Sequence, residues 1–160
     1  ISGAHFNPLI TLHMGLQGVM PWREVPAYVL AQLSGGVIGV ACANAMFGLP
    51  LLAVSQHSRA GPGLLLGEAV ATFGLLMIVW YGWQGHAPLL PVSVGAYIAA
   101  AIMFTSSTSF ANPAVTIARS LSDSFAGIAP HHVFAFVLAQ LAGALAAVAV
   151  AGWLAKRTEQ

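Results

Sequence analysis

Apolar residues run along this chain in long blocks rather than in alternation. Four blocks, at 25–48, 64–84, 89–106 and 131–155, are expected to be helices that span a membrane, since about 20 apolar residues cross a bilayer core of about 30 Å. Their ends are marked by Pro26, Pro62, Pro88, Pro91 and Pro130, and by short polar runs such as Ser-Gln-His-Ser-Arg at 55–59. No stretch alternates as a barrel strand would. Ala, Gly and Ser are frequent inside the blocks, which suits close helix packing in lipid, and Gly35, Gly36 and Gly39 make one small-residue face on the first of them. The pattern predicts an all-α membrane protein.

The blocks are interrupted twice by the same motif. Ser-Gly-Ala-His-Phe-Asn-Pro-Leu-Ile-Thr-Leu at 2–12 lies over Ser-Thr-Ser-Phe-Ala-Asn-Pro-Ala-Val-Thr-Ile at 107–117, with Asn7 and Asn112 separated by 105 positions. Farther on, Tyr-Val-Leu-Ala-Gln-Leu-Ser-Gly at 28–35 matches Phe-Val-Leu-Ala-Gln-Leu-Ala-Gly at 136–143. Two stretches repeating at nearly one spacing indicate a duplication. Three predicted spans separate the two motifs, and an odd number of crossings makes the repeats inverted. Inverted repeats with interrupted helices place a solute site near the bilayer midplane.

Composition narrows the reading further. Only five basic and four acidic residues occur among 160, and the mean hydropathy is +0.83. A soluble domain carries about a quarter of its residues charged, so lipid is the expected surroundings and partner. Arg23, Lys156 and Arg157 against Arg59 give a weak positive-inside signal that puts the first motif's entry and the C-terminus in the cytoplasm. A net charge of +1 gives no reason to expect nucleic acid as a partner. The single cysteine, Cys42, reads as a small buried core residue. His131 and His132 could suggest a metal, but without a third ligand nearby a wet helix cap is the better reading, and neither metal nor cofactor is expected. The chain opens on Ile1, inside a motif, and is expected to be an N-terminally truncated fragment that would not conduct alone.

Irregular backbone at membrane depth survives only where it is buried in protein or lines a wet cavity. Each motif offers such a stretch, followed by a helix of about three turns. Pro8 and Pro113 suit the first helical position, which needs no backbone donor. Asn7 and Asn112 then fall at the N-cap with side-chain amide donors to present. Each helix start also carries about half a positive charge. Two such ends at mid-membrane would repel cations and offer hydrogen bonds to the oxygen of a neutral solute.

At these residues the chain resembles the major intrinsic protein family, the aquaporins and aquaglyceroporins. The Ser-Gly-Ala-His-Phe-Asn-Pro motif at 2–8 is similar to its first signature loop, and Phe-Ala-Asn-Pro-Ala-Val-Thr at 110–116 to its second. Gly-Glu-Ala-Val-Ala-Thr-Phe-Gly at 67–74 resembles the start of its fourth helix. The resemblance implies an aquaporin-like inverted-repeat bundle, with four full spans and two half-helices present, and the first two spans expected before Ile1. On this reading 1–160 is one channel domain: 1–106 holds the rest of the first repeat and the first helices of the second, and 107–160 the second half-helix and last span. It further implies a homotetramer with one pore per subunit, in the inner membrane.

Carried over residue by residue, the resemblance gives Gly3, Ala4, His5, Ser109, Phe110 and Ala111 pore-lining carbonyls. Glu68 would brace a signature loop by accepting backbone N–H bonds, or alternatively snorkel to water from near its helix end. Gln32 and Gln140 would tie loops to helices or simply pack between them. The chain departs from the family pattern in three places. Leu9 replaces the alanine usual after the first Asn-Pro, whereas Ala114 keeps it after the second. Val115 stands where the selectivity arginine is usual, and the neighbouring filter position is the small Ser109. The fifth-helix filter position is either Ala100 or Ile102. Arg119, one turn beyond Val115, either reaches back to the filter or bonds loop carbonyls at the mouth.

A filter without arginine is expected to be wider and less polar. The function implied is a passive channel for small neutral solutes: water, glycerol-like polyols, and neutral metalloid acids such as arsenous acid. The alternative is a secondary transporter, which also uses inverted repeats, but Glu68 is the only acidic residue within a span. A non-conducting structural role has only Leu9 behind it. No nucleophile–base pair points to an enzyme.

Overall fold

The computed structural model describes residues 3–85 and 87–158. Ile1 and Ser2, where the first motif begins, lie outside the described residues. Six α-helices follow one another: α1 (Pro8–Leu16), α2 (Val25–Met46), α3 (Pro62–Trp83), α4 (Leu90–Phe104), α5 (Pro113–Arg119) and α6 (Pro130–Thr158). Every one carries a proline in its first two positions, where the missing N–H has no partner to lose and the fixed φ already suits a helix.

Three stretches are long and apolar enough to cross a membrane: Trp22–Met46, Pro62–Trp83 and Pro130–Arg157. The fourth expected span, 89–106, also forms an apolar helix, shorter than the other three. Its helix is α4, with 15 residues, about 22 Å long. Thr105 takes an extended conformation at its C-cap, and its hydroxyl bonds back to Ala101 O at 2.6 Å, so the chain leaves the helix there for the second motif.

The chain divides into two compact units. The first gathers residues up to Ala60 with Asn112–Val137, and so holds α1, α2, α5 and the first turns of α6. Here α2 packs on both short helices. Gly36 makes the approach to α5 possible, since a Cβ there would stand 3.2 Å from Ala118 Cβ and 3.5 Å from Ala114 O. The rest of α2 is largely exposed within this chain, with Leu30 and Ile38 about two-thirds uncovered. Cys42, expected to be buried, is exposed for the same reason.

The second unit comprises Gly61–Ala111 and the chain from Leu138 onward. The buried residues of α3 are Gly67, Glu68, Ala71, Thr72, Leu75, Leu76, Val79 and Gly82, which recur every three or four positions and so form one face. Glycines let the other helices reach that helix. A Cβ on Gly74 would run into the Tyr97 ring, and one on Gly143 into the Ala69 carbonyl. Tyr97 completes the α3–α4 contact by donating to Ala71 O at 3.0 Å.

Candidate functional site

The two Asn-Pro helix starts lie together in the first unit, and they are built alike. Asn7 is the N-cap of α1, extended at φ −141° and ψ 124°, and its Oδ1 accepts from Leu9 N at 3.0 Å. Asn112 caps α5 at φ −159° and ψ 112°, accepting from Ala114 N at 2.9 Å and Val115 N at 3.3 Å. Each oxygen is thereby committed to its own helix, which leaves the Nδ2 group for other partners. Asn112 Nδ2 donates to Phe6 O at 2.8 Å and joins one motif to the other. Thr11 and Thr116, each four residues after its Asn, bond back to that Asn's carbonyl at 3.3 and 2.8 Å.

The loops leading into these helices are bent through left-handed backbone. Positive φ occurs at Gly3 (73°) and Ala4 (53°) in the first, and at Thr108 (62°), Ser109 (49°) and Ala111 (46°) in the second. For residues with a Cβ this conformation costs about 1–2 kcal/mol each, so it persists only where the surroundings enforce it. In the first loop Gln32 of α2 donates to His5 O at 2.7 Å and to Thr11 Oγ1 at 2.8 Å.

In the second loop the enforcing group is Glu68, fully buried in α3. Its two oxygens accept from Phe110 N at 2.8 Å and Ala111 N at 2.9 Å, and Gln140 of α6 donates to Oε2 at 2.6 Å. Three donors thus converge on the two oxygens of one buried side chain. Ser107 Oγ holds Ser109 N at 3.2 Å. Gly67 lets this loop lie against α3, because a Cβ would meet Ser106 Oγ at 2.8 Å and Ser107 N at 3.1 Å.

Of the remaining residues singled out in the sequence, Leu9 and Ala114 are buried and Val115 is half-buried. The Ser109 hydroxyl is buried with no hydrogen-bond partner among the described residues. Ala100 and Ile102 are both exposed on α4 and flank Ala101, which is fully buried. Val115 and Arg119 line one cavity of about 520 Å³, together with Ser122, Ser124, Phe125 and Ala126. The His131 and His132 ring centroids lie 4.0 Å apart with the planes tilted by 52°, and His132 Nε2 lies 3.2 Å from Ser58 Oγ. Among the described residues no group of three or more metal-ligating side chains forms.

Several residues at the site carried no signal in the sequence. Phe6 enters through its carbonyl, which any residue type possesses. Asn44 and Arg59 look like ordinary polar residues near loop ends, yet both are buried in the first unit. Thr11 and Thr116 were visible as coincident positions of the repeat, and their shared offset from Asn is the signal that marks them.

The major intrinsic protein family model matches residues 1–109. Among curated proteins, the chain is 47% identical over 154 residues to aquaglyceroporin AqpS of Rhizobium meliloti (strain 1021), covering 96% of this chain and 66% of that protein. Aquaporin NIP1-4 of Oryza sativa subsp. japonica is 30% identical over 152 residues, covering 91% of the chain and 55% of the rice protein. Probable aquaporin AqpM of Archaeoglobus fulgidus is 34% identical over 172 residues, covering 98% and 69%. The chain thus spans roughly half to two-thirds of the length of these relatives.

Proposed function

This chain belongs to the major intrinsic protein family, and on that premise we propose that its protein is a passive channel for small neutral solutes, not an enzyme. The observation that carries the reading is the pair of Asn-capped helix starts in one unit, joined by the bond from Asn112 Nδ2 to Phe6 O. An Asn N-cap carries two amide N–H donors and no charge, so a hydroxylated solute can exchange water for one of them while an ion gains no counter-charge. The irregular loops that lead to these Asn residues are held by hydrogen bonds with side chains of the spans, Gln32 and the buried Glu68, as backbone at membrane depth requires.

The solutes we propose are water, glycerol-like polyols, and neutral metalloid acids such as arsenous acid. Support comes from Val115, an apolar side chain at the position where the family pattern has an arginine, and from the small Ser109, whose hydroxyl has no partner among the described residues. The name aquaglyceroporin borne by the Rhizobium relative supports the polyol part. Gly3, Ala4, His5, Phe110 and Ala111 would contribute carbonyls to the path, with Ala100 or Ile102 completing the filter. The protein would act as a homotetramer in the inner membrane, and the exposed apolar residues of α2 and α6, such as Leu30, Ile38, Phe134 and Leu145, suit contact with lipid or a neighbouring subunit.

The test is osmotic swelling of liposomes carrying the full-length gene product, with glycerol against water alone. Glycerol entry well above protein-free vesicles is the expected result, and Val115→Arg should cut it by about tenfold while water still passes. Passage of water only would defeat the wide filter, and passage of neither would defeat the channel.

A further inference from the structure

Arg59 lies in the connection between α2 and α3, outside every helix, yet only 7% of its surface is exposed. Its Nε donates to Gly127 O at 2.7 Å and its Nη2 to Phe125 O at 3.1 Å. Both carbonyls belong to the segment that follows α5. A guanidinium holds such acceptors at a fixed separation because its donors form a rigid fork, which a lysine ammonium lacks.

The two segments are laced together around this clamp. Ala53 N donates to Leu121 O and Ser55 N to Ser120 O, both at 2.9 Å, and Ala129 N donates to His57 O at 2.8 Å. Gln56 N donates to Asp123 Oδ1 at 2.8 Å. Asn44 at the end of α2 ties in both sides, accepting from Ser122 Oγ at 2.8 Å and donating to Leu51 O at 3.1 Å. Gly127 allows the close approach, since a Cβ there would run into Ser122 O and Ser55 Oγ. Phe125, whose carbonyl Arg59 holds, is also a wall of the 520 Å³ cavity that Val115 and Arg119 line.

We propose that Arg59 is a positioning residue for solute selection: by clamping Phe125 and Gly127 it sets the width of the cavity beside Val115, and with it the largest neutral polyol admitted. This guanidinium comes from the α2–α3 connection and acts on the wall, whereas Arg119 lines the cavity directly. This rests on the channel reading above. It assigns to one buried arginine a task that neither the Asn-Pro motifs nor Val115 performs.

The experiment compares wild type, Arg59→Lys and Arg59→Gln of the full-length gene product in liposomes, reading the permeability to a four-carbon polyol relative to glycerol. Amide hydrogen exchange at residues 53, 55, 56 and 129 is read in parallel. Both variants should raise the polyol ratio by about threefold or more, with water permeability nearly unchanged. Exchange at the four amides should quicken by about tenfold. A merely structural role would lower the yield of folded channel without moving the ratio. Folded variants that keep the wild-type ratio overturn the proposal. So does an Arg59→Lys protein that matches wild type while Arg59→Gln does not, because charge rather than the fork would then be at work. If Arg59→Gln fails to fold, the lysine variant decides alone. A wild type that passes neither polyol defeats the channel reading and the selection role with it, and the exchange rates then show separately whether the clamp exists.

Discussion

The two Asn-Pro loops are copies in sequence, but they are braced by opposite chemistry. The first is held by a donor: Gln32 reaches His5 O and Thr11 Oγ1. The second is held by an acceptor: Glu68 takes the N–H groups of Phe110 and Ala111, and Gln140, which aligns with Gln32 in the repeat, supports Glu68 instead of the loop. The difference follows the backbone. Three non-glycine residues with positive φ bend the second loop, against Ala4 alone among the described residues of the first. A charged acceptor forms hydrogen bonds roughly twice as strong as a neutral amide does, so the more strained copy has the stronger brace.

The contrast can be broken outright at Glu68. Glu68→Ala leaves two buried N–H groups and the Gln140 amide without their acceptor, and should cost about 3–5 kcal/mol. A large drop in the melting temperature of the purified full-length protein, with loss of solute flux, is the expected result; near-wild-type stability would show that the carboxylate does not hold the loop. A finer comparison uses the aligned glutamines. Gln140→Leu removes a bond to a charged group and should cost about 2 kcal/mol, whereas Gln32→Leu removes neutral bonds worth about 1 kcal/mol. Denaturation in detergent measures both, and the reverse order would mean that the first loop is the more dependent on its brace. The smallest effect is a coupling. Thr11→Val combined with Gln32→Leu should deviate from additivity by about 0.5–1 kcal/mol, because the two side chains share a bond, while Thr11→Val with Gln140→Leu should add within experimental error.

The helices were largely legible because their signals are local. Long apolar runs, a proline at each start and the duplicated Asn-Pro are properties of consecutive residues. The fourth span falls where the hydropathy places it, and only its end differs: α4 stops at Phe104 because Thr105 is extended, a turn that hydropathy alone does not register. The buried faces were not legible either. Where both sides of a helix are apolar, as in α3, periodicity cannot tell the protein-facing stripe from the lipid-facing one. Cys42 shows the consequence, since its apolar neighbours suggested a core, yet it is exposed among the described residues.

At the site, sequence named Asn7, Asn112, Glu68, Gln32 and Gln140, because each recurs or stands out chemically against an apolar background. It left the environments of Glu68 and the two glutamines open. By itself it determined the family, the all-helical membrane character and the residues with chemistry to offer. Only the tertiary structure decided the partners: that Asn112 meets the carbonyl of Phe6, that Gln140 meets Glu68, and that Arg59 reaches the carbonyls of Phe125 and Gly127. Backbone carbonyls and amides have no letter in a sequence, and these contacts join residues 66 to 106 positions apart. Their meeting depends on glycines that let backbones approach, which is a property of packed helices and not of any stretch of chain.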